Sequence, residues 1–383
     1  MVYFPELPAE IIAEILDSIC PECTNGGIHS HGDEPHPAKT FASLCVTSKH
    51  LKEFAVKRLY RRPDCRKWWL LGRTLVARRD LGELVRQLYL DEPELAWLDN
   101  SKRDGQELEE LEEYYLERRD PAIYPPISQS SLWGRFNETL YDFGANAHID
   151  VILSLCPNVE LLHSTIWFFD AFGFCKPQSL QRLKHIKIIR ADTEGSLDIG
   201  ECKHLFLAAP NLEAMEFVDA GSVQGRNSSS SKVLLDRVKL DRVTQISFER
   251  SGLDAEGLRT ILRWTPNVQR INYEHIDTQP GQFTPREALQ VLGDEGMAKQ
   301  LREFTFEIDE DVGQDLWGWG DEDELKALER EFKERGIRFK APTVPVPHVN
   351  PAAVVWSGSI FGWLVTTTPA MGDVNNQGPD QVS

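Results

Sequence analysis

Between residues 84 and 340 the apolar positions recur in a fixed order. A helical run, with apolar residues three and four apart, gives way to a short segment in which they alternate. HIDVILSLCPN, CKHLFLAAPN and LRTILRWTPN are helical runs, and each leads into such a segment: VELL, LEAMEF and VQRINY. Proline cannot continue the helix, and it pushes the residue before it out of helical backbone. Asparagine tolerates the turn that follows. VRQLYLD, LKHIKII, VTQISFE and LREFTFE read as further strands of the same series, about 24 to 32 residues apart beyond residue 160. One such unit cannot bury its own apolar face. Stacked units form a continuous core, with parallel strands on one side and helices on the other. The pattern predicts an α/β fold.

The first sixty residues follow helical spacing only. In FPELPAEIIAEILDSIC, Pro8 suits the first turn of a helix and Glu10 suits its dipole. Ile11, Ile12, Ile15, Leu16 and Ile19 make an apolar stripe. In KTFASLCVTSKHLKEFAVKRLYRRP, the residues Phe41, Leu44, Cys45, Ser48, Leu51, Phe54, Ala55, Arg58 and Leu59 recur at helical spacing until Pro63. Two or three short amphipathic helices are expected. A bundle of about 45 residues has too small a core to be strongly stable alone, so it gains by packing on a neighbour or a partner.

LPAEIIAEIL followed by SLCVTSKHLKEFAVKRLY resembles an F-box, in the form common in fungal proteins. The likeness covers about 57 of the 383 residues. It implies that Leu7, Pro8, Ile11, Ile12, Ile15 and Leu16, with Leu44, Val46 and Leu51, form or support a contact to the Skp-type adaptor of a cullin–RING ubiquitin ligase. This chain departs from the pattern in its longer connection between the first helix and the next. That extension holds Cys20, Cys23, His29 and His31. Thiolate and imidazole are zinc ligands, but five residues separate the pairs where a zinc finger has roughly 12. Asn25, Gly26, Gly27, Gly32, Pro35 and Pro37 favour a plain surface loop. Four protein ligands would also leave a zinc ion no open position for catalysis.

The strand-and-helix series resembles an irregular leucine-rich-repeat solenoid of the kind found behind an F-box, although L-x-x-L-x-L-x-x-N is only partly met. The two resemblances divide the chain into a helical domain at 1–62 with an inserted loop at 20–39, a solenoid at 63–340, and a mostly disordered tail at 341–383. An open α/β sheet with crossover helices is the alternative architecture.

A net charge of −18 argues against a general nucleic-acid binder. Residues 52–79 are basic and 91–120 acidic, which reads as solvated surface or as a docking strip. Seven scattered cysteines fit a reducing compartment, so the expected location is intracellular, in cytoplasm or nucleus. No apolar run is long enough to span a membrane. Motifs for phosphate cradles, nucleophile elbows and zinc proteases are missing. Trp167 and Phe169 in the run STIWFFDAFGF, and Trp317 and Trp319 among glycines, are candidates for a recognition surface. The expectation is a non-enzymatic adaptor without cofactor. It would recruit a ligase through its helices and a protein substrate through its repeats. A repeat scaffold without ligase, or a zinc-binding protein, is the alternative.

Overall fold

The computed structural model describes residues 7–19, 38–63, 65, 68–90, 114, 117, 145–166, 172–191, 196–224, 233–275, 283–294, 299–308 and 322–340. All the described residues belong to one compact unit, 1–342; the expected tail at 341–383 lies outside the described residues. The unit opens with helices α1 (Ala9–Ile19), α2 (Ala38–Thr47), α3 (Lys49–Arg61), α4 (Trp68–Ala77) and α5 (Arg79–Gly82). Strand β1 (Gln87–Leu90) follows, then α6 (Ala145–Ser154), β2 (Leu161–Ile166), β3 (His185–Arg190) and β4 (Leu197–Asp198). A 3-10 turn (Ile199–Cys202) enters α7 (Lys203–Ala208), followed by β5 (Ala214–Val218), β6 (Ala220–Ser222) and β7 (Gln245–Ser251). The unit ends with α8 (Ala255–Trp264), β8 (Arg270–His275), α9 (Pro285–Gly293), β9 (Glu303–Ile308), α10 (Glu322–Glu334) and β10 (Arg338–Lys340).

The fold is α/β. Eight strands make one sheet in the order β1-β2-β3-β5-β7-β8-β9-β10, and every pairing is parallel. The strands lie in chain order with no reversal, as stacking of successive units requires and a doubly wound sheet does not. Strands β4 and β6 pair in a small second sheet.

Seven units share the order φ-x-x-φ-x-φ, where φ is the inward position. It runs from Val85, Leu88 and Leu90 in the first to Leu301, Phe304 and Phe306 in the last. Register aligns the middle position into one row: Leu88, Leu162, Ile186, Met215, Ile246, Ile271, Phe304 and, on β10, Phe339. All eight are buried. Each such side chain contributes about 1.5–3 kcal/mol when fully buried, so the rows form the main stabilising core. The rows turn aromatic toward the C-terminal end. Phe217 stacks on Phe248, and Tyr273 packs on Phe283 and Phe306. Phe332 of α10 stacks on Phe339 at 4.5 Å and closes the core.

The units alternate between two kinds of turn. Those entering β2, β5 and β8 carry Pro-Asn, and each asparagine donates back to a carbonyl in the preceding turn. Asn158 Nδ2 reaches Glu83 O at 3.0 Å, Asn211 Nδ2 reaches Gln181 O at 2.8 Å, and Asn267 Nδ2 reaches Asp241 O at 2.8 Å. In the other direction, the Leu180 and Leu240 amides donate to Ala208 O and Trp264 O, the last carbonyls of α7 and α8. Helix-end carbonyls lack partners within the helix, so these bonds both cap the helix and lace the units in pairs. At the first pair the equivalent helix-end carbonyl, Leu155 O, presses on Gly82, where an added Cβ would lie 2.1 Å from it.

The helices α1 to α3 enclose a small core of their own, Ile12, Leu16, Phe41, Leu51 and Ala55. The continuous spacing from Phe41 to Leu59 breaks at Ser48, whose backbone is extended, and gives two helices. Arg58 ties α1 to α3 by donating to Asp17 Oδ1 and Ala13 O. The far side of α3 presents Val56 and Tyr60 to the main core. The Arg86 amide donates to Arg61 O at the end of α3, so the backbone ladder of the stack begins on that helix.

Two glycines separate crowding from backbone strain. Gly82→Ala should lose about 1–3 kcal/mol of stability because the carbonyl of Leu155 has little room to move. Gly336, at φ +75° with nothing within 4 Å of an added Cβ, should tolerate asparagine better than alanine. Denaturant titration of the three variants checks this. A neutral Gly82→Ala, or equal losses for Ala and Asn at 336, would contradict the packing described.

Candidate functional site

The nine residues of the N-terminal helices singled out from sequence separate into two sets. Ile12, Leu16 and Leu51 are buried in the small core, and Leu7 and Leu44 pack against it from partly buried positions. Pro8, Ile11 and Val46 face outward, with Val46 87% exposed, and Ile15 is half-buried. Ile19, one turn beyond Ile15, is also exposed. Spacing of four places Ile11, Ile15 and Ile19 on one face of α1. The described residues include four exposed large hydrophobics: Ile11, Ile19, Val46 and Val233. An exposed apolar residue is ordinary, and three of these four fall on two short helices, α1 and α2.

The second surface is the outward face of the sheet. Its first half is paired internally. Arg86 meets Glu160 at 3.5 Å, and Lys184 meets Glu213 at 2.8 Å. Lys187 bonds both Glu216 and Glu249. Burial works against the Lys187 ammonium, but the two glutamates outweigh it and hold its pKa above the ordinary value. Burial lowers the pKa of His185; Glu213 opposes the shift and Lys184 adds to it. The unfolded chain therefore takes up that proton first. Its contribution to stability is full above the ordinary histidine range and is lost as pH falls through that range.

At the trailing ends of β5 and β7, Asp219 (φ 58°) and Arg250 (φ 48°) both adopt left-handed backbone. They occupy equivalent places, two residues after Phe217 and Phe248, and Arg250 Nη2 donates to Asp219 Oδ2 at 2.9 Å. The register of β7 against β8 shifts between Phe248 and Ser251, and the Ala220 amide of β6 donates to Ser251 Oγ.

The remaining candidates are distributed as follows. Phe172 is fully buried and Phe174 packs against the main core. Trp167, Phe169, Trp317, Trp319, Cys20, Cys23, His29 and His31 lie outside the described residues. Among the described residues no group of three or more His, Cys, Asp or Glu is placed to hold a metal ion. No described helix is long and apolar enough to cross a membrane. Cys65, Cys156, Cys175 and Cys202 are buried free thiols, and Cys45 is partly so. Burial raises the pKa of Cys156, Cys175, Cys202 and Cys45, which suppresses the reactive thiolate. Sequence reasoning passed over Ile19 as a surface residue, although its spacing of four from Ile15 was the available signal.

No protein-family model matches the chain, and no curated protein matches it.

In a Cys20→Ser/Cys23→Ser variant, native protein should show at most one fast-reacting thiol, Cys45. Five should react after denaturation. Thiol titration with an aromatic disulfide reagent measures both. Three or more fast thiols in the native state would contradict the burial of the other four.

Proposed function

We propose that the N-terminal helices are an F-box-like module that docks on a Skp-type adaptor of a cullin–RING ubiquitin ligase. The stacked sheet, resembling a leucine-rich-repeat solenoid, then holds the protein to be ubiquitinated. The observation that carries this reading is the apolar face of Ile11, Ile15 and Ile19 on α1, exposed at Ile11 and Ile19, together with exposed Val46 on α2. It lies on a small helical cluster whose own core is filled by the neighbouring stripe, Ile12 and Leu16. The Leu-Pro opening and the order of helices support the same reading.

The chain performs no bond chemistry in this account. It raises the effective concentration of a substrate lysine near the ubiquitin-carrying enzyme, which is how a tether accelerates a reaction it does not catalyse. The setting is intracellular, in cytoplasm or nucleus.

Co-purification with a Skp-type adaptor tests the reading. Ile11→Glu combined with Val46→Glu alters exposed positions only, so the fold should survive while binding weakens by at least about tenfold. Ile12→Ala should instead unfold the cluster, losing about 2–5 kcal/mol. Wild-type protein that fails to bind, or a charged variant that binds equally well, would leave a repeat scaffold without a ligase.

A further inference from the structure

The three N-terminal helices keep their charges apart by sign. Helix α1 carries Glu10, Glu14 and Asp17 and no lysine or arginine. Helix α2 carries Lys39 and no acid. Helix α3 carries Lys49, Lys52, Lys57, Arg58 and Arg61 against one acid, Glu53. Among the described residues, the ion pair that joins α1 to α3 is Asp17 with Arg58. Glu10, Glu14, Lys39, Lys49 and Lys52 are exposed and enter no ion pair with a described residue.

These unpaired charges border exposed apolar residues. Glu10 and Glu14, four apart, run along α1 beside the row of Ile11, Ile15 and Ile19, and buried Ile12 and Leu16 lie along its other edge. On α2, Lys39 and Val46 are seven residues apart, so two helical turns place them on one side, with exposed Ala42 and Ser43 between them. Lys49 and Lys52 follow in the first turn of α3. The cluster therefore shows an apolar strip with an acidic edge on one helix, and an apolar patch with a basic edge on the next two. Within one chain the two do not meet. Both are exposed, while Ile12, Leu16, Phe41, Leu51 and Ala55 fill the space among the helices.

Such a surface fits its own copy. A two-fold axis that sets α1 of one molecule on α2 and α3 of another forms the reverse contact at the same time. A partner of one sign would leave one edge against like charge. The three helices together are slightly basic, so the net charge of −18 lies outside them. We propose that the chain self-associates through these helices as a two-fold dimer, covering Ile11, Ile19 and Val46 and setting Glu10 and Glu14 of each copy against Lys39, Lys49 and Lys52 of the other. A second copy seated there occupies the face assigned above to the adaptor. The dimer does not depend on that assignment, and the adaptor is left out of the experiment.

Sedimentation velocity of the full chain from about 1 to about 100 μM tests it. Wild-type protein should be dimeric at the upper end of that range. Glu10→Lys/Glu14→Lys puts cations on both edges, and Lys49→Glu/Lys52→Glu puts acids on both. Each variant alone should dimerise at least about tenfold more weakly. An equimolar mixture of the two should dimerise as strongly as wild type, because each α1 then meets the opposite sign on its partner. A folding defect cannot produce that recovery, so the mixture decides the matter even where a variant melts early. Wild-type protein that stays monomeric, undiminished dimers in either variant, or a mixture no stronger than its components would each overturn the proposal.

Discussion

A strand leaves amides and carbonyls open on both edges, and in a buried core both edges must find partners. That constraint organises this molecule. Each strand from β2 to β9 in the main sheet is closed on both sides by its neighbours in the chain, and the turns before the strands continue the same ladder. The carbonyl of Glu160 accepts from Lys184 and His185, that of Lys184 from Glu213 and Ala214, and that of Gln269 from Arg302 and Glu303. Unpaired backbone groups in a buried turn would be costly. The ladder therefore fixes where each turn lies, and the turn fixes which residues of φ-x-x-φ-x-φ face inward. Helix-end carbonyls and Pro-Asn side chains then lace the units in pairs.

With the stack closed by its own ladder, what projects from its two ends is available for other work. At one end stand α1 and α2, which fill a small core with one stripe and leave Ile11, Ile19 and Val46 uncovered by described residues. At the other stand β9 and β10, where Lys340 and Arg338 pair with Glu303.

Much of this was legible in the sequence. Alternating segments such as LKHIKII and VTQISFE became strands β3 and β7, and the Pro-Asn phrases marked the turns before β2, β5 and β8. Three features were not read. Strand β10 is too short for alternation to show. The α9 helix carried a readable signal in Thr284, Pro285 and Glu287, a capping box with proline in the first turn, and it was passed over. The pairing of units through Asn211 and Gln181, or Asn267 and Asp241, depends on bonds between residues about thirty positions apart, which local pattern cannot supply. At the N-terminal helices the apolar residues were legible but not their sides. Ile11 and Ile12 are adjacent in sequence and alike in chemistry, and only packing against Phe41 and Leu51 determines which of them is covered.

The central claim is that the α1–α2 face binds a Skp-type adaptor while the sheet stays as it is. Hydrogen–deuterium exchange on the full chain, with and without that adaptor, tests this most directly. The account predicts added protection in residues 8–19 and 38–47, with exchange in β2 through β9 unchanged. Protection centred on the strands, or no change in either helix, would contradict it.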